Sequence, residues 1–132
     1  MTPPVGDLYP AFYAQLETLD RIFEFWIAIT FGVITATFFA GSRISNLMYG
    51  LISILYGLVS LNLMARSYVA GLKVFELSQQ LVDAGEYLPA GYWNLIIAAL
   101  TMLAFIGGTI GTIYFIWHTY KSGHSEPIDD SE

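Results

Sequence analysis

Three long apolar runs leave this chain few folds to choose from. Residues 22–40, 44–65 and 93–117 are 19, 22 and 25 residues long, and Glu24 is the one Asp, Glu, Lys or Arg within them, although the chain holds 11 acids and five bases. A helix rises about 1.5 Å per residue, so about 20 apolar residues cover the ~30 Å of a bilayer's hydrocarbon. Each run is near that length. Backbone in hydrocarbon must satisfy its own hydrogen bonds, so the pattern predicts an all-α integral membrane three-helix bundle. The chain is 55% hydrophobic and 12% charged, which excludes an ordinary water-soluble globule. The lipid bilayer is the first partner expected, and nucleic acid is not expected.

Composition removes further chemistry. Without cysteine there are no disulfides, thiolate nucleophiles, cysteine-ligated zinc sites or iron–sulfur clusters. A net charge of −6 argues against a polybasic patch for anionic lipid heads or nucleic acid. The opening MTPPVGDLYP has no basic stretch, and Phe38 stands where a small residue would help cleavage after Ala40. The first run is therefore expected to remain as an uncleaved signal-anchor.

Residues 1–10 carry Pro3, Pro4 and Pro10, which favours an extended start. Helix 1 is expected over 11–40 with its span at 22–40; Phe12, Leu16, Leu19, Ile22 and Phe23 lead into it at three- and four-residue spacing. Gly41, Ser42 and Arg43 form a link short enough to force helices 1 and 2 antiparallel. Helix 2 is expected over 44–84 with its span at 44–65, because no proline interrupts 66–84 and Val69, Leu72, Phe75, Leu81 and Val82 keep helical spacing. Such a helix is about 60 Å long, twice the hydrocarbon thickness. Helices 1 and 2 thus extend beyond the bilayer on one side, where their apolar stripes can dock as a cap. Gly71 is a candidate bend and Gly85 a C-terminal cap. A turn is expected over 85–92, helix 3 over 93–120 with its span at 93–117, and a disordered acidic tail over 121–132.

Three spans put the termini on opposite sides. Trp26, Trp93 and Trp117 lie near the ends of the runs, as interfacial anchors do. Arg21, Arg66 and Lys73 fall on one side and Arg43 and Lys121 on the other, too even a division to set orientation.

Two groups of residues are candidates for a role. Counted outward from the turn, Glu24 lies level with Asn62, with Arg21 and Arg66 about one turn nearer water, so these four are expected to form a polar interhelical cluster. The second group is the small residues. Gly32, Ala36 and Ala40 recur on helix 1, Gly50, Ser53, Gly57 and Ser60 on helix 2, and Ala104, Gly107, Gly108, Gly111 and Thr112 on helix 3. Small faces let helices approach closely in lipid, where packing rather than the hydrophobic effect drives association.

Other motifs are weak. Residues 107–111 lack the lysine and the preceding strand of a phosphate loop, and His118 and His124 with Asp129 and Asp130 make a poor metal set in a flexible tail. No nucleophile, base and orienting group occur together, so no enzyme, cofactor or small-molecule substrate is expected. The leading expectation is a non-catalytic subunit or scaffold that assembles with itself or with partner membrane proteins through the small-residue faces. The alternative is a homo-oligomeric pore or membrane-permeabilising effector, of the holin-like or defence type, with Thr30, Thr35, Thr37, Ser53, Ser60, Thr101, Thr109 and Thr112 along a polar path.

Overall fold

The computed structural model describes residues 4–40, 43–86 and 91–123, the side chains of 91–95 and 123 excepted. Among the described residues there are three helices and no strand: α1 (Val5–Ala40), α2 (Asn46–Asp83) and α3 (Gly91–Gly123). All three are long and apolar enough to cross a membrane.

Residues 5–10, expected as part of an extended start, are helical, with Pro10 inside α1; residues 1–3 of that expected start lie outside the described residues. Proline there removes the bond to the carbonyl four residues earlier and costs about 3 kcal/mol. Leu8 and Phe12 flank Pro10 and are buried against Leu81, with Tyr9, Leu16, Val74 and Leu77 around them. Two such side chains contribute about 3–6 kcal/mol, enough to offset the proline. The carbonyl of Pro4 accepts from the Asp7 N–H at 2.9 Å and opens the first turn. This contact between helix extensions is the cap.

α2 runs unbroken through Gly71. Ser45 caps its start, its hydroxyl accepting from the Met48 N–H at 3.5 Å. At its end Gly85 takes φ 84°, the Gly85 N–H donates to the Val82 carbonyl and the Glu86 N–H to the Leu81 carbonyl. This paired closure needs a left-handed residue, which glycine supplies without strain. α3 exceeds 93–120 at both ends: residues 91–92, expected as turn, and 121–123, expected as tail, are helical. The remainder of the turn at 87–90 and of the tail at 124–132 lies outside the described residues.

Contacts fix the topology. Leu8 meets Leu81 and Trp26 meets Leu63, so α1 and α2 are antiparallel. Tyr49 meets Tyr120 at 5.0 Å between ring centroids, while Leu63 shares a cluster with Phe105, so α3 is antiparallel to α2. Along α2, Tyr49, Tyr56, Ser60, Leu63, Ser67, Ala70 and Leu81 are buried at spacings of three, four or multiples near them. They form one seam that runs from the first apolar run's partner face into the cap.

The interior mixes apolar side chains with hydroxyls, and the exterior is apolar. Thr30, Thr37, Ser60 and Thr112 are buried, while Phe31, Phe38, Leu47, Ile54, Leu58, Leu100 and Leu103 are more than half exposed. Such an apolar exterior suits hydrocarbon and is untenable in water over so large an area.

Candidate functional site

The centre of the bundle is aromatic. Trp26 on α1, Leu63 on α2 and Phe105 on α3 are buried together, with Ile22, Phe23, Ile27, Ile29 and Met64 packed around them. The rings of Trp26 and Phe105 are 4.7 Å apart at their centroids, and Phe23 lies 5.7 Å from Phe105. Trp26 is therefore a core residue and not an interfacial anchor; its ring points into the bundle because Gly108 leaves room for it. A Cβ at position 108 would stand 2.8 Å from the indole Cζ2. Trp117 is exposed, and the Lys121 ammonium sits 3.9 Å above its ring. The side chain of Trp93 lies outside the described residues.

One turn along α1 from Trp26, Thr30 and Tyr56 share a buried hydrogen bond at 2.9 Å between hydroxyls. Tyr56 was not among the sequence candidates. The count outward from the turn that sets Glu24 beside Asn62 also sets Thr30 beside Tyr56, and that register was the available signal. The indole N–H of Trp26 and the hydroxyls of Thr37, Ser60 and Thr109 are buried without a hydrogen-bond partner among the described residues.

The four-residue polar cluster does not assemble. Arg21 turns back along its own helix and donates to Glu17 at 2.7 Å, an (i, i+4) pair exposed on both sides. Glu24 is exposed, and neither an ion pair nor a hydrogen bond holds its side chain among the described residues. Asn62 and Arg66 instead face a groove between α1 and α2 whose walls include Gln15, Thr18 and Lys73. The physical reason is reach: Glu17 lies one turn from Arg21 on the same helix face, and pairing there needs no helix-to-helix match.

The small residues divide into two sets. Gly108, Ser60 and Thr112 lie inside the bundle. A Cβ built on Gly32, Gly50, Gly57, Gly107 or Gly111 meets nothing within 4 Å. Ala36 and Ala104 are exposed as well, Ser53 is half-buried, and Ala40 is half-buried at the end of α1.

Sequence reading also missed an outward stripe on the projecting half of α2. Tyr68, Leu72, Phe75 and Val82 are each more than half exposed. Their spacing of four, three and seven puts them on one face, about 115° around the helix from the buried seam. The sequence spacing assigns Leu72, Phe75 and Val82 to the cap's interior face together with Leu81; the structure buries Leu81 and turns the other three outward beside Tyr68. Among the described residues no group of three His, Asp or Glu could hold a metal.

Comparison with protein-family models, with curated proteins and with solved structures finds no match to this chain.

Proposed function

We propose that this chain is a three-span integral membrane protein that acts as a non-catalytic assembly subunit, joining copies of itself or another membrane protein. The observation that carries the reading is the doubled stripe on α2. One apolar seam is covered by α1, and a second, formed by Tyr68, Leu72, Phe75 and Val82, is left uncovered beyond the last residues of the apolar run. A helix with two heptad-spaced faces has a place for one more helix. Outside the hydrocarbon an exposed face of this size is characteristic of a contact surface. Within the apolar zone, Ala104, Gly107 and Gly111 on α3 offer a second close-approach face with open space before it.

A pore draws less from the geometry. Thr30, Thr37, Ser60 and Thr112 are turned between the chain's own helices, and Thr101 donates to the Ile97 carbonyl, so these hydroxyls are not a lining shared with another copy.

The test is the mass of the purified complex in mild detergent, for the wild type and for a Leu72→Glu/Phe75→Glu variant. A complex larger than one chain that falls to the monomer in the variant supports the proposal. A wild-type chain that is monomeric and purifies alone overturns it.

A further inference from the structure

We propose that the groove between α1 and α2 at the membrane edge binds the phosphate of an anionic phospholipid headgroup, with Arg66 and Lys73 as its charged ligands. The inference rests on the three-span reading above. The groove has a volume of about 540 Å³ and is lined by Gln15, Thr18 and Ile22 from α1 and by Asn62, Arg66 and Lys73, with small apolar residues, from α2. The chain as a whole is acidic, with 11 acids against five bases, yet two of the five bases line this groove and no acid does. Among the described residues neither Arg66 nor Lys73 takes part in an ion pair, and the pair present joins Arg21 to Glu17.

Depth and chemistry agree. Ile22 and Ala65 bound the apolar runs of α1 and α2, so Arg66 stands at the first polar position and Lys73 about 10 Å further out at helical rise. Arginine presents a fork that matches two phosphate oxygens, and lysine adds a point charge that needs no fixed angle. The amides of Gln15 and Asn62 supply neutral donors on opposite walls. Thr18 donates to the Ala14 carbonyl at 2.8 Å, so its hydroxyl is committed and serves only as an acceptor. Ile22, Ala65 and Val69 form the apolar floor against which the glycerol and upper acyl segments of a lipid lie, a floor that a free anion does not use. The net charge of the sequence argues against such a site; what it hides is that bases 7 residues apart on α2 share one helix face, whose groove wall holds no acid.

The full chain in mild detergent is titrated with short-chain phosphatidylglycerol, with phosphatidylcholine and with inorganic phosphate, and bound lipid is counted by native mass spectrometry. The expected result is preference for phosphatidylglycerol over phosphatidylcholine, weakened roughly thirtyfold in Arg66→Gln/Lys73→Gln, at about fivefold per charge near a membrane surface. Arg43→Gln/Lys121→Gln, which removes equal charge at the other end, is expected to bind as the wild type does. Equal binding of both lipids, equal loss in both double variants, or displacement by millimolar inorganic phosphate each overturns the assignment. Release of the chain from membranes by alkaline carbonate overturns the three-span reading and the lipid site with it, whereas a monomeric chain that still selects phosphatidylglycerol overturns the assembly role alone.

Discussion

Trp26 and Gly108 fit one another so closely that residue 108 has no room for a methyl group: the indole occupies the space a Cβ would need. An indole is rigid, so Gly108→Ala forces a helix shift or a strained ring and is expected to destabilise the bundle by about 1–3 kcal/mol. Gly107→Ala and Gly111→Ala, where nothing lies within 4 Å, are expected to be neutral or to stabilise the monomer by up to about 1 kcal/mol. Thermal unfolding in detergent separates them. If all three behave alike, Trp26 is not seated on Gly108.

The Thr30 and Tyr56 hydroxyls satisfy each other in an interior that offers little else. Tyr56→Phe is expected to cost about 1 kcal/mol, in the range of interhelical bonds between apolar helices. A double-mutant cycle with Thr30→Val checks it, and a coupling of zero would remove the bond from the account. Ser60, whose buried hydroxyl has no partner, gives the contrast: Ser60→Ala is expected to be neutral or stabilising.

Glu24 is the charge inside an apolar run, and its expected helix-to-helix role is not what the geometry gives. With its side chain exposed and unpaired among the described residues, Glu24→Ala is expected to leave the unfolding free energy of the purified protein within about 0.5 kcal/mol of wild type. Arg21→Ala is expected to be similarly mild, since an exposed (i, i+4) pair is worth about 0.3–0.5 kcal/mol. A large loss in either variant would show a contact that this packing lacks.

Tyr9 near the start of α1 donates to the Glu86 carboxylate just past α2 at 2.9 Å. That bond, then burial and the carboxylate's charge, hold the phenol above its ordinary value. A raised folded value means that the contact's contribution is complete below the unfolded phenol value, near pH 10, and declines as pH climbs through the folded one. The difference in unfolding temperature between wild type and Tyr9→Phe is therefore expected to be constant from neutral pH upward and to shrink only above about pH 10. A difference that vanishes between pH 5 and 8 would contradict the assigned bond.

The three helices were legible because each apolar run is long, nearly uncharged and bounded by a link or a turn. Their ends were less so. Pro10 marks a break only when its neighbours have nothing to bury, and the partner of Leu8 and Phe12, Leu81, lies 73 and 69 residues further along. The polar edge was misread for a similar reason: register placed Glu24, Asn62, Arg21 and Arg66 at one height, but height says nothing about azimuth. Trp26 looked interfacial by its position in the run, and only the facing Gly108 turns it inward. Small residues were visible as stripes, while which side of each helix they occupied was decided by large neighbours on other helices.

Because α2 continues without interruption from Asn46 to Asp83, its two halves share one azimuth. It is an axle and not a joint. A rotation of about 30° within the Trp26, Leu63 and Phe105 core would carry the tip of Phe75, some 5–6 Å from the helix axis, about 3 Å sideways. With no hinge between Leu63 and Phe75, a turn made in the packing around Trp26 and Phe105 reaches the outer face of the axle undiminished.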